Sequence, residues 1–127
     1  MLGDCDLMAF VATADLGAAR AFYLNTLGLR LVDESDFALV FDAHGTPLRV
    51  VPVSEPLIAP YTVLGWRVDN IEETLRHLAE SGVPANRFEG MAQDDAGIWT
   101  TPRGDRIAWF QDPDGNTLSV TEFLRDR

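Results

Sequence analysis

Apolar residues recur along the chain at two different periods, and the periods change in the same order twice. Over Leu7–Val32 the pattern reads strand, helix, strand. Alternating apolar residues lead to Asp15, and helical spacing follows over Leu16–Leu27, carried by Ala19, Phe22, Tyr23 and Leu27. Asp15 suits an N-cap, because its carboxylate can accept from the orphan amides of a first turn. Gly28 suits the left-handed position after the last turn. The segment Val63–Val83 repeats the plan. Leu64, Trp66 and Val68 alternate toward Asp69, then Ile71, Leu75 and Leu78 follow at helical spacing, and Gly82 ends the run. Asp69 with Glu72, or Asn70 with Glu73, fits a capping box. Asp15 matches Asp69 and Gly28 matches Gly82, both at an offset of 54 residues.

Strand and turn signals follow each helix. In the first half they are Leu29–Asp33, Phe37–Asp42, a turn at Ala43-His44-Gly45, and Pro47–Val53. In the second half they are Gly97–Thr101, a turn at Pro102-Arg103-Gly104, and Ile107–Gln111. The turn Asp112-Pro113-Asp114-Gly115 then leads into Thr117–Phe123. Gly45–Val50 aligns with Gly115–Val120 at an offset of 70, so the second half holds about 16 more residues, mostly around Pro84–Ala96. Each half therefore predicts a βαβββ module, the first over about 6–53 and the second over about 62–124. Ser54–Tyr61, with Pro56 and Pro60, is the linker. The fold class is α+β, with two mixed sheets that face each other across a cleft. One helix covers only one face of such a sheet, so the other face must meet a partner or line a cavity.

Composition narrows the functions. The chain has 127 residues, 46% hydrophobic and 24% charged, which is the range of one ordinary globular domain. Twenty acidic residues against ten basic ones give a formal charge of −10, a field that repels nucleic acid and anionic lipid. No apolar run approaches membrane-spanning length. The N-terminus carries Asp4 and Asp6 rather than a basic region, so no signal peptide is expected and the expected location is cytoplasmic. Cys5 is the single cysteine and cannot form an internal disulfide. It lies near no histidine in sequence and reads as inert. No Cys/His cluster has zinc spacing. His44 falls in a turn, and His77 falls in the last turn of its helix, where a cation is favourable.

Strand alternation picks out the cleft face. Met8, Phe10 and Ala12 share it in the first strand, Val63, Gly65 and Arg67 in the strand opening the second half, and Thr117, Ser119 and Thr121 in the last strand. With Arg49 and Val51 the expected lining is apolar, carrying a few polar groups and two arginines, a mixture that suits a small molecule. The alternative is a cleft filled by its own side chains. Arg49 and Arg67 suit a carboxylate or phosphate of a ligand, or else pair with Asp36 or Glu122. Trp66, Trp99 and Trp109 are candidates for stacking on a planar ligand, with Trp99 the best of them and Trp66 on the helix side. The loop Gly90–Gly97 suits a lid, and its Gln93, Asp94 and Asp95 either act as polar groups at the cleft or are simply solvated. Asp112–Asn116 lacks the alternating ligands and distal glutamate of a calcium loop and reads as a turn.

Over essentially its whole length the chain resembles the vicinal oxygen chelate superfamily of glyoxalases, fosfomycin- and bleomycin-resistance proteins and extradiol dioxygenases. The matching residues are Ala14-Asp15-Leu16, Ala21-Phe22-Tyr23 and Thr26-Leu27-Gly28-Leu29 in the first half. In the second they are Asp69-Asn70-Ile71, Gly82-Val83 and Phe110–Asn116. The resemblance implies four metal-ligand positions, usually His, Gln or Glu. Here they fall on Met8, Arg49, Val63 and Ser119. Hard and borderline cations want carboxylate or imidazole. Arg49 would oppose a divalent ion by several kcal/mol at about 4 Å and an effective dielectric of about 20. The resemblance thus implies a metal-free protein without a cofactor, holding a small organic ligand, planar or anionic, as in the drug-sequestering branch. It also implies a homodimer, with the modules paired within one chain or between two. Two other readings stand beside it. One is a glyoxalase- or dioxygenase-like enzyme working through a metal or through Asp94, Asp95 or Glu122. The other is a structural dimerisation module.

Overall fold

Two four-stranded mixed sheets carry the fold, one in each half of the sequence. The computed structural model describes residues 1–124. It divides into two compact units, Met1–Ile58 and Ala59–Arg127. The boundary falls inside the stretch Ser54–Tyr61, which forms no helix or strand.

The first unit runs β1 (Ala9–Thr13), α1 (Leu16–Arg20), a π-helical turn (Ala21–Thr26), β2 (Arg30–Glu34), β3 (Leu39–Ala43) and β4 (Thr46–Pro52). Its sheet order is β1-β4-β3-β2, with β1 parallel to β4 and the other pairs antiparallel. The second unit runs β5 (Thr62–Arg67), α2 (Ile71–Glu80), β6 (Trp99–Thr100), β7 (Arg106–Gln111) and β8 (Thr117–Glu122), in the order β5-β8-β7-β6. Again the first and last strands are parallel. The βαβββ order expected from the hydrophobic pattern is present in both. The expected strands shift by one or two residues at their ends, except β6, which shrinks to two residues of the five expected at Gly97–Thr101.

The first helix departs from expectation. It is regular only to Arg20 and then widens into the π-helical turn, where the Leu27 amide donates to the Phe22 carbonyl five residues back at 2.9 Å. The caps explain why. Asp15 Oδ1 accepts from the Ala18 amide at 3.1 Å. In the second unit the cap is Asn70, whose Oδ1 accepts from Glu73 at 3.1 Å, and not Asp69. The true partner of Asp15 is thus one residue further on, while Gly28 still matches Gly82. One more residue separates cap from glycine in the first unit, and a π turn is how a helix absorbs one extra residue. Both glycines are left-handed, with φ of 73° and 82°.

Each helix buries one face of its sheet. In the first unit Val11, Phe41, Leu48 and Val50 turn inward with Ala19, Phe22 and Tyr23, all buried. The Tyr23 ring meets Phe22 edge-on at 5.1 Å and Phe41 at 6.0 Å. In the second unit Ala108, Phe110, Leu118 and Val120 share the core with Ile71, Leu75 and Leu78. Glu122 fastens α2 to the sheet, since its Oε1 accepts from the Ile71 amide at 3.0 Å. The Asp112–Asn116 turn is closed by Asp112, whose Oδ1 accepts from the Asp114 and Asn116 amides at 3.0 and 2.9 Å. Among the described residues no helix is long and apolar enough to cross a membrane.

Two stability outcomes follow. Phe41, fully buried beside Tyr23, should cost about 3–5 kcal/mol on replacement by alanine, read by urea denaturation. Asn70→Ala should cost about 1 kcal/mol and Asp69→Ala much less in the same assay, since only Asn70 caps α2.

Candidate functional site

The face of the first sheet turned away from α1 is set by the alternation of β4. Leu48 and Val50 are buried on the helix side, so Arg49 and Val51 stand on the other. Pairing places Phe10 and Val40 on either side of Arg49, and Ala12 beside Val51. Phe10 is 59% exposed, and Met8, just before β1, is 45% exposed. The open face is therefore apolar around a central guanidinium. The Nε of Arg49 is buried and meets no acceptor among the described residues. Asp36, the acid expected to neutralise it, forms no ion pair with it. Asp42, on the same face, holds Arg30 at 3.6 Å and accepts from the Gly45 amide at 3.1 Å.

On the second sheet two rows cross the open face. One runs Gly65, Ser119, Trp109, and the next Arg67, Thr121, Ile107, Trp99. Gly65 is required by its neighbour, because a Cβ there would lie 2.8 Å from the Ser119 hydroxyl. Ser119 is accordingly buried. Beyond it the Trp109 ring lies 6.3 Å from Trp99, tilted by 31°, and meets Phe88 edge-on at 5.4 Å. The Trp109 indole donates to Thr62 Oγ1 at 3.1 Å, which orients the ring. Trp99, Trp109 and Phe88 thus make a partly exposed aromatic platform. Val63 is exposed where the β5–β8 register shifts. The guanidinium of Arg67 stands 5.4 Å over the Phe123 ring, a cation–π contact rather than the expected pairing with Glu122. Beside it, at the end of the sheet, lies a hollow of about 560 Å³ lined by Arg67, Asp69, Arg106, Glu122 and Phe123.

Two of the acids expected as alternative acid–base groups, Glu122 and Asp94, are committed elsewhere. Glu122 lies on the helix side of β8, where it holds the Ile71 amide and Arg106 Nη1 at 3.5 Å. Arg106 also reaches Glu72 at 2.8 Å, and that hydrogen bond chiefly holds its pKa above the ordinary value. Asp94 Oδ1 accepts from the Ala96 and Ile98 amides at 2.9 Å each, closing a turn. Gln93 clamps the same loop, donating to the Asn86 and Gly97 carbonyls at 2.9 Å. Asp95 is exposed. His44 occupies the β3–β4 hairpin turn with a positive φ of 51°, and His77 lies 3.9 Å from Glu73 on the exposed side of α2. Cys5 is exposed.

The residues at the family's metal-ligand positions do not fit a divalent cation. Met8 offers a thioether, Val63 no donor, and Ser119 a hydroxyl packed over Gly65. Arg49 offers a positive charge. Among the described residues no three His, Cys, Asp or Glu side chains are grouped to hold a metal. The sequence reading named Trp109 as a stacking candidate beside Trp99, ranked it below Trp99, and missed Phe88. Trp109 was legible, since Ala108 and Phe110 alternate inward and the β7–β8 pairing sets Trp109 against Ser119. Phe88 lies in the irregular extra segment, where no period assigns a face.

The family model described as the glyoxalase/bleomycin resistance protein/dioxygenase superfamily matches residues 7–120. No curated protein matches the chain. Among solved structures, a glyoxalase family protein from Enterococcus faecalis is 20% identical with a TM-score of 0.78, over 96% of this chain and 100% of that one. A glyoxalase/bleomycin resistance protein from Streptomyces sp. CB03234 is 26% identical with a TM-score of 0.69, over 92% and 99%. A genomically encoded fosfomycin resistance protein from Listeria monocytogenes is 13% identical with a TM-score of 0.75, over 94% and 93%. With a family match over nearly all of its length and the same pair of βαβββ modules, this chain belongs to the glyoxalase/bleomycin resistance protein/dioxygenase superfamily.

Proposed function

We propose that this protein binds a small, planar organic molecule and does so without a metal. The observation that carries this reading is the aromatic platform of Trp99, Trp109 and Phe88 on the open face of the second sheet. Flat rings gain most from offset stacking and edge contacts, which such a platform offers. Val63, Thr121 and the Gly65–Ser119 pair extend the same face as a shallow surface with few polar groups, the composition of a small-molecule site. The donor set at the family's metal positions supports a binding role over Lewis-acid chemistry, and the engagement of Glu122 and Asp94 in structural hydrogen bonds supports it over acid–base chemistry. The name printed for the Streptomyces structure includes bleomycin resistance, an activity in keeping with sequestration of an organic compound.

Bleomycin and a panel of flat aromatic compounds should quench the tryptophan fluorescence of the protein saturably. Trp109→Ala should weaken that binding by about tenfold or more, from the lost ring contacts and burial. Elemental analysis of protein purified after supplementation with Zn²⁺, Mn²⁺, Ni²⁺ and Fe²⁺ should find none at stoichiometric level. A full equivalent of metal surviving dialysis would remove the reading.

A further inference from the structure

We infer that Arg49 is an anion-binding residue, and that a small molecule held on the open face of the first sheet carries an oxyanion such as a carboxylate, phosphate or sulfonate. The inference rests on the small-molecule reading and concerns the first sheet alone. It starts from how the arginines are used. Arg20, Arg30, Arg76 and Arg106 each hold a carboxylate, at 2.9, 3.6, 2.9 and 2.8 Å. Arg87 donates to the Asp94 carbonyl at 2.6 Å. Arg67 stands over the Phe123 ring instead, and in a chain with twice as many acids as bases a carboxylate is the commonest of these partners. Arg49 has no such partner among the described residues.

Its surroundings keep it that way. Register sets Phe10 on one side and Val40 on the other. Asp33 is the next residue out in the same row, paired with Val40, and two strand spacings put it roughly 10 Å away. Asp42 is occupied by Arg30 and the Gly45 amide. The Arg49 Nε is buried and meets no acceptor among the described residues. A buried donor of a charged group left unpaired is costly, and a free surface arginine would avoid that by turning its fork to water. An oxyanion laid across the fork would accept from Nε and a terminal nitrogen together, the bidentate geometry in which guanidinium exceeds ammonium. Phe10 and Val51 then offer apolar contact to the body that bears the anion.

The test uses benzoate and its neutral isostere benzamide. With the intact protein labelled in nitrogen-15, the Arg49 side-chain Nε–H signal, identified by its loss in Arg49→Lys, should shift saturably with benzoate and stay in place with benzamide. Calorimetry with 2-naphthoate and 2-naphthamide should show a preference for the carboxylate of about tenfold or more. Arg49→Gln should abolish that preference by weakening 2-naphthoate binding about tenfold or more, in a protein that circular dichroism shows to be folded. If 2-naphthamide binds as tightly as 2-naphthoate, or the Arg49 signal ignores benzoate, the inference falls while the small-molecule reading stands. If neither naphthalene compound binds and no flat compound quenches the tryptophans, both fall. If sedimentation shows a dimer that Arg49→Gln disperses, the acceptor is a carboxylate of a second copy, and the inference is likewise overturned.

Discussion

A four-stranded sheet has two faces, and a single helix can bury only one of them. That constraint organises each half of this protein. α1 with its π-helical turn covers one face of the first sheet, and α2 covers one face of the second. Everything chemically distinctive stands on the uncovered faces, because period-2 alternation sends Leu48 and Val50 inward and so must send Arg49 outward. The same rule sends Leu118 and Val120 inward with Ala108 and Phe110, and leaves Ser119 and Trp109 on the other side.

The two uncovered faces are built differently. The first sets Arg49 between Phe10 and Val40, with the Arg30–Asp42 pair toward its far edge. The second is aromatic, with Trp109 held in orientation by Thr62 and with Gly65 cut away to admit Ser119. Among the described residues neither groups three carboxylates, imidazoles or thiols with which a divalent ion would be gripped. The chain has the superfamily's architecture, and an architecture does not by itself fix the chemistry it carries. The acids near the second sheet serve the scaffold itself. Glu122 spans from β8 to the first turn of α2, and Asp94 and Gln93 shape the long segment that carries Phe88 to Trp109.

Much of this was legible beforehand, and the failures have physical causes. Both modules, their strand order and the outward positions of Phe10, Arg49, Arg67 and Ser119 follow from periodicity and from the internal repeat. The cap of α2 was misaligned because the repeat was read at one offset, whereas the π turn of the first module holds one residue more. Glu122 looked available for acid–base work because it is acidic and near the end of a strand. Its partners, the Ile71 amide and Arg106, are 51 and 16 residues away in sequence, a pairing no local pattern reveals.

By itself the sequence determined which residues face inward, roughly where the helices lie, and which residue types stand on the outward positions. These are local properties, set by side-chain period, by capping chemistry and by residue type. Only the tertiary structure decided which outward residues become neighbours. Strand register laid Trp109 beside Ser119 and set Phe10 and Val40 on either side of Arg49, and the course of the long irregular segment brought Phe88 against Trp109. Register is fixed by turns and by the summed packing of a whole sheet. The company a side chain keeps on an open face is therefore a property of the assembled sheet rather than of any one segment.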